Sequence, residues 1–195
     1  MTIRRKMRNN IWIASCVTLL FVICSTGAAR ATTIERMSLE KMSRTAKVIV
    51  RARCVGNSTR EDVGEIWTIT NFAVEQVWRG TASGQITVRL LGGRAGNLTS
   101  SVSGVPRFQA GEEVLLFLEP MSRGDFSVVS WEQGTFRLRR DPATGSESAT
   151  QDTASFATFD AATRRFKTAG IRRTPVDALH GRVDAALRGA DGASR

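Results

Sequence analysis

Cysteine and histidine are nearly missing from this 195-residue chain, which holds three Cys and one His. Cys16 and Cys24 fall in an N-terminal leader, so Cys54 has no second thiol to pair with and the mature chain forms no intramolecular disulfide. An exported domain without that staple has to be held by its apolar core. Zinc bound by nitrogen and sulfur ligands would need more than Cys54 and His180, so no metal centre and no cofactor is expected. The sequence also lacks G-x-S-x-G and G-x-G-x-x-G, which leaves His180 without a nucleophile to serve and makes it a surface or helix-packing residue. No apolar run reaches the roughly 20 residues of a membrane-spanning helix.

What is present begins with the leader. Arg4, Arg5, Lys6 and Arg8 precede an apolar run over residues 11–23, and Ala29-Arg30-Ala31 offers a small-x-small cleavage site. This order is that of a secretory signal peptide, residues 1–31, with the mature protein beginning at Thr32 and residing in the periplasm or outside the cell. Only Ile11 and Trp12 precede the lipobox-like Ile13-Ala14-Ser15-Cys16 as apolar stem, so general export without a lipid anchor is the reading adopted. Losing Arg4, Arg5, Lys6, Arg8 and Arg30 takes the basic residues from 28 to 23 against 18 acids, and the net charge falls from +10 to +5. That residual charge suits a solubilising surface, with a local patch from Arg137, Arg139 and Arg140 and from Arg164, Arg165, Arg172 and Arg173. Nucleic acid is not an expected partner.

Along the mature chain, Ser38 caps a short helix striped by Leu39, Met42 and Ala46. Residues 47–55 then alternate, with Val48, Val50, Ala52 and Cys54 facing inward. Residues 57–64 read as a polar turn. Residues 66–78 read as a bent strand whose parity requires two covered faces or a bulge. Ile86, Val88 and Leu90 give a third strand, followed by a long Gly/Ser-rich connection, residues 92–108. Residues 114–118 form a central strand buried on both faces, and short strands carry residues 126–131 and then Phe136 and Leu138. Residues 32–140 thus read as a mainly β domain, a small antiparallel OB-like barrel of five or six strands with a short N-terminal helix. Residues 141–173 read as a flexible polar segment without assigned structure. Thr174, Pro175 and Asp177 mark the start of a C-terminal amphipathic helix, residues 174–189, striped by Val176, Leu179, Val183 and Leu187.

Glu112-Glu113 is an adjacent acid pair in the barrel, and strand neighbours point to opposite faces, so it reads as edge charge. Arg123-Gly124-Asp125 spells an integrin-type tripeptide in a place where hairpin chemistry alone selects Gly-Asp. Compact domains rarely keep connections longer than about 12–15 residues unless these are functional. Residues 92–108 therefore supply the candidate binding residues Gly93, Arg94, Gly96, Gly104, Pro106, Arg107 and Phe108, with a barrel plug built on Pro106 and Phe108 as the equal alternative.

The order of these features resembles a group of exported bacterial proteins of unknown function. The matching stretches are Met37-Ser38-Leu39-Glu40, residues 48–53, residues 74–80, residues 102–113, and residues 128–136 ending Gln133-Gly134-Thr135-Phe136. More distantly, the strand order is similar to the OB-fold barrel of tissue inhibitors of metalloproteinases and netrin-type modules. Those inhibitors act through a disulfide-locked N-terminal cysteine, whereas the mature start here is Thr32, so the resemblance implies the fold and not the mechanism. The expectation is a non-catalytic binding or accessory module whose partner is another exported protein, with a carboxylate-dependent hydrolase in the barrel mouth as the rival.

Overall fold

The computed structural model describes residues 34–153, 158–161, 163–167 and 170–191; the expected signal peptide, residues 1–31, lies outside them. The chain runs β1 (Ile34–Glu35), a helix (Leu39–Thr45), β2 (Val48–Asp62), β3 (Glu65–Arg79), β4 (Gln85–Leu91), β5 (Gly93–Ala95) and β6 (Leu98–Ser100). It continues through β7 (Glu113–Pro120), β8 (Phe126–Val128), a 3-10 turn (Trp131–Gly134), β9 (Thr135–Arg140) and β10 (Glu147–Gln151). β11 (Thr158–Asp160), β12 (Arg165–Lys167), β13 (Thr174–Pro175) and a second helix (Val176–Asp191) complete it. The fold is mainly β. Neither helix is long and apolar enough to cross a membrane.

Five strands close into a ring, in the order β2-β3-β4-β8-β7 and back to β2. All neighbours are antiparallel except β4 and β8, which run parallel and meet at Val88 and Phe126. This corrects the wholly antiparallel expectation for a simple reason: an odd number of strands closed on itself cannot alternate direction at every step. The long strands β2 and β3 bend around the ring at register shifts between Ile49 and Val50, Arg51 and Ala52, and Cys54 and Gly56, the bulge alternative of the two that the mixed parity of residues 66–78 left open. β9, β10 and β13 extend the sheet outward from β7.

Two apolar clusters share the β2–β7 wall. Val48, Val50, Ala52, Cys54, Val114, Leu116 and Leu118 point into the ring with Phe72, Ile86, Val88 and Leu90. Their neighbours Ile49, Leu115 and Phe117 point the other way, onto Leu39 and Met42 of the first helix and Val176, Leu179 and Val183 of the second. Val114 to Leu118 are all fully buried, as a continuous apolar run bounded by glutamates demands. Ser38 caps the first helix by accepting from the Lys41 amide at 3.1 Å.

Three expectations need correcting. Residues 57–62 continue β2 as a ribbon paired with β3, and only Val63 and Gly64 make the turn; their polarity reflects a ribbon projecting from the core. The stretch 141–173 contains β10, β11 and β12 among its described residues. Its small side chains conceal an alternation in which Ala149 and Gln151 are buried, and Asp141 shapes the β9–β10 turn by accepting from the Ala143 amide at 2.8 Å. The last helix starts at Val176, after Thr174 and Pro175 have paired with β10, and runs past Gly189 to Asp191.

A buried amide fastens these outer pieces. The Gln133 side chain accepts from the Met37 amide at 2.8 Å and donates to the Glu35 carbonyl at 3.0 Å. Its backbone carbonyl accepts from the Gln151 side chain at 2.5 Å, and Gln151 in turn accepts from the Ile171 amide at 3.1 Å. Gly134 follows because any Cβ there would collide with the Val129 carbonyl.

Cys54 is buried in the ring, and burial raises its thiol pKa, with the nearby Glu112 charge acting in the same direction. A thiol reagent should therefore label native protein slowly and denatured protein fast, and Cys54→Val should cost under about 1.5 kcal/mol by thermal melt.

Candidate functional site

The connection from β4 to β7 is anchored before it turns outward. The Gly92 amide donates to the Ile66 carbonyl at 2.7 Å, and the Thr68 hydroxyl donates to the Gly92 carbonyl at 2.7 Å. β5 and β6 then form a hairpin, with Gly93 opposite Ser100 and Ala95 opposite Leu98. Gly93 has φ +137°, and a Cβ there would lie 2.6 Å from Thr68 Oγ1 and 3.0 Å from Thr59 Cγ2. Glycine alone lets the hairpin lie this close to the β2–β3 ribbon.

The second half of the connection turns inward. Gly104, Val105, Pro106 and Phe108 are buried, and Val105 and Phe108 join the ring core. Phe108 meets Phe72 edge-on with centroids 5.0 Å apart, a favoured aromatic geometry. Arg137 lies 4.9 Å from the Phe108 centroid and donates to the Arg107 carbonyl at 2.6 Å. Arg137 is itself held by Glu112 at 2.5 Å and Asp152 at 2.9 Å. The Asn57 side chain donates to the Phe108 carbonyl at 2.8 Å, and the Glu132 amide to the Gly104 carbonyl at 3.0 Å.

Between ribbon and connection lies a groove of about 270 Å³ lined by Asn57, Thr59, Thr68, Gly93, Arg94, Pro106, Arg107 and Phe108, among others. Five of the seven expected residues, Gly93, Arg94, Pro106, Arg107 and Phe108, therefore share one site. Gly96 sits at the hairpin turn with φ +58°. Gly104 lines a separate cleft of about 390 Å³ with Ser101, Ser103, Arg107, Glu132, Arg137 and Asp152. Sequence reading does not find Asn57, Thr59 and Thr68, because residues 57–62 are polar at every position and show no apolar alternation to mark a strand. Among the described residues the Arg94 side chain donates to the Gly96 carbonyl at 3.4 Å and the Arg107 side chain to the Ser101 hydroxyl at 3.5 Å. Neither meets a carboxylate among the described residues.

A cleft of about 700 Å³ contains Arg137, Arg139 and Arg140 of the expected patch, without Arg164, Arg165, Arg172 or Arg173, together with Arg51, Arg53, Glu112 and Glu113. Most of this charge is already paired. Arg51 contacts Glu75 at 3.1 Å, Glu113 at 2.8 Å and Glu147 at 2.6 Å, and Arg53 reaches Glu75 and Glu113. Hydrogen bonds from Arg51 and then Arg140 lower the Glu147 pKa from 4.5 to about 2, while Glu147 is the main cause of the raised Arg51 pKa. Glu112 turns to Arg137 and Glu113 to Arg51 and Arg53, so the acid pair diverges as strand geometry requires.

The remaining candidates take structural places. His180 stacks on Trp78 with centroids 4.3 Å apart and lies 3.7 Å from Asp184. Arg123-Gly124-Asp125 forms the β7–β8 turn, closed by the Met121 amide donating to the Asp125 carbonyl, and Arg123 pairs with Asp62 at 3.1 Å. Among the described residues no group of three His, Cys, Asp or Glu side chains is placed to hold a metal ion. The sequence matches no family model and no curated protein.

A carboxylate whose folded pKa is depressed stabilises the fold above its unfolded pKa and loses that contribution as pH falls through the folded value. Glu147→Gln should thus lower stability by about 1 kcal/mol at neutral pH, the upper end for a solvent-screened pair. The gap to wild type should close between pH 4.5 and about 2, as chemical denaturation at a series of pH values would show.

Proposed function

We propose that the protein is an exported, non-catalytic binding module built on an OB-like barrel, and that the groove between Arg94 and Arg107 receives an anionic segment of another exported protein. Export rests on the leader, residues 1–31. The barrel reading is supported by the ring order, in which the fifth strand lies between the third and the fourth, the arrangement of a partly open Greek-key barrel.

One observation carries the binding reading: Arg94 and Arg107 flank a single groove and meet no carboxylate among the described residues, whereas Arg51, Arg53, Arg89, Arg123, Arg137 and Arg140 are all ion-paired. A guanidinium left open at a pinned loop is free to take an external carboxylate, phosphate or sulfate with little reorganisation. The hydroxyls of Thr59 and Thr68 and the exposed edge of the hairpin add polar contacts on the same wall. The hydrolase rival would need free acids in a cleft, and in the cleft of about 700 Å³ both Glu112 and Glu113 are bonded to guanidinium groups.

Polyglutamate is a suitable probe. Arg94→Ala/Arg107→Ala should weaken its binding about tenfold, two solvent-exposed charge pairs, with the melting temperature unchanged. Unaltered binding would refute the groove. Turnover of peptide, ester or glycoside substrates that is abolished by Glu112→Gln or Glu113→Gln would instead establish the hydrolase.

A further inference from the structure

The β5–β6 hairpin separates two clefts of opposite charge. On the β5 side is the groove bearing Arg94 and Arg107. On the β6 side, a cleft of about 290 Å³ is lined by Glu61, Glu65, Leu91 and Leu98, and Leu91 belongs to both. Glu61 and Glu65 are exposed and have no ion-pair partner among the described residues. They flank the tip of the β2–β3 ribbon, where Val63 is 95% exposed, and Leu98 on the hairpin is 59% exposed. Val63 has φ +52°, a conformation that β-branched residues avoid and that hairpin turns fill with Asn, Asp or Gly. An apolar side chain is thus displayed where turn chemistry would select a polar one.

An acidic half, a basic half and exposed apolar side chains between them make a surface complementary to itself under a twofold rotation. We propose that a second copy of this chain docks here, with Glu61 and Glu65 of each copy against Arg94 and Arg107 of the other and Leu98 close to the axis. This rests on the groove reading above and names the occupant: the anionic segment is the ribbon tip of the same protein. The charges are solvent-exposed, so the association should weaken as salt rises.

Sedimentation equilibrium over a concentration and salt series tests it, using wild type, Glu61→Lys/Glu65→Lys and Arg94→Glu/Arg107→Glu. Wild type should dimerise at low salt. Each charge-reversed variant alone should remain monomeric, because like charges then face each other across the axis. Mixing the two variants should restore a dimer, since every contact is again between opposite charges, and that recovery also shows both variants to be folded. A monomeric wild type at all concentrations, a reversed variant that still dimerises, or a mixture that stays monomeric would each overturn the proposal. If wild type is monomeric yet binds polyglutamate through Arg94 and Arg107, the second-copy inference fails and the groove stands. If it does neither, both fail.

Discussion

The β2–β7 pairing is the constraint on which the rest of the structure depends, because this wall carries apolar cargo on both faces. Val114, Leu116 and Leu118 fill the ring, and Leu115 and Phe117 receive the helices. With Cys54 free, no disulfide staples the described residues, and burial of apolar surface on both faces, at roughly 25 cal/mol per Å² removed from water, has to hold them together. Removing either face would leave β7 half exposed and both clusters open. Beyond the reach of the helices the same outer face has no apolar cover, and there Arg51 binds Glu75, Glu113 and Glu147. The charge network begins where the helices stop.

The ring also dictates how its longest connection behaves. A five-stranded ring is too narrow to stay open at its end, and Val105 and Phe108 fill the space next to Phe72. Arg137 then serves two purposes at once, holding the Phe108 ring and the Arg107 carbonyl while being fixed by Glu112 and Asp152. With Val105, Pro106 and Phe108 buried, the connection presents the hairpin that carries Arg94 and Leu98, and beside the buried residues only the Arg107 side chain turns outward to the same groove. The plug expected of Pro106 and Phe108 and the hairpin proposed for recognition are consecutive parts of one segment.

Much of this was legible because periodicity reports burial. The alternation of Val48, Val50, Ala52 and Cys54, the run from Val114 to Leu118 and the stripe of Val176, Leu179 and Val183 all correspond to buried faces. The errors have a common physical origin in polar strands. Asn57 and Thr59 in the ribbon, and Ser148 and Thr150 in β10, pair through backbone hydrogen bonds that carry no hydrophobic signal. The parallel β4–β8 contact follows from closure of an odd ring, a property of topology and not of any residue. Within the site, Arg94 and Arg107 were visible as loop cations, but that they lie on one groove depends on Gly93 fitting against Thr68 and Thr59, which requires the ribbon that the sequence had concealed.

The central claim is that the two halves of residues 92–108 have separate roles, and shortening the hairpin tests it most directly. Replacing residues 94–99 with a tight Asn-Gly turn joins Gly93 to Ser100 and leaves Val105, Pro106, Phe108 and Arg137 in place. The account predicts a melting temperature within a few degrees of wild type together with loss of polyglutamate binding. A collapsed fold, or a stable fold that binds as before, would contradict it.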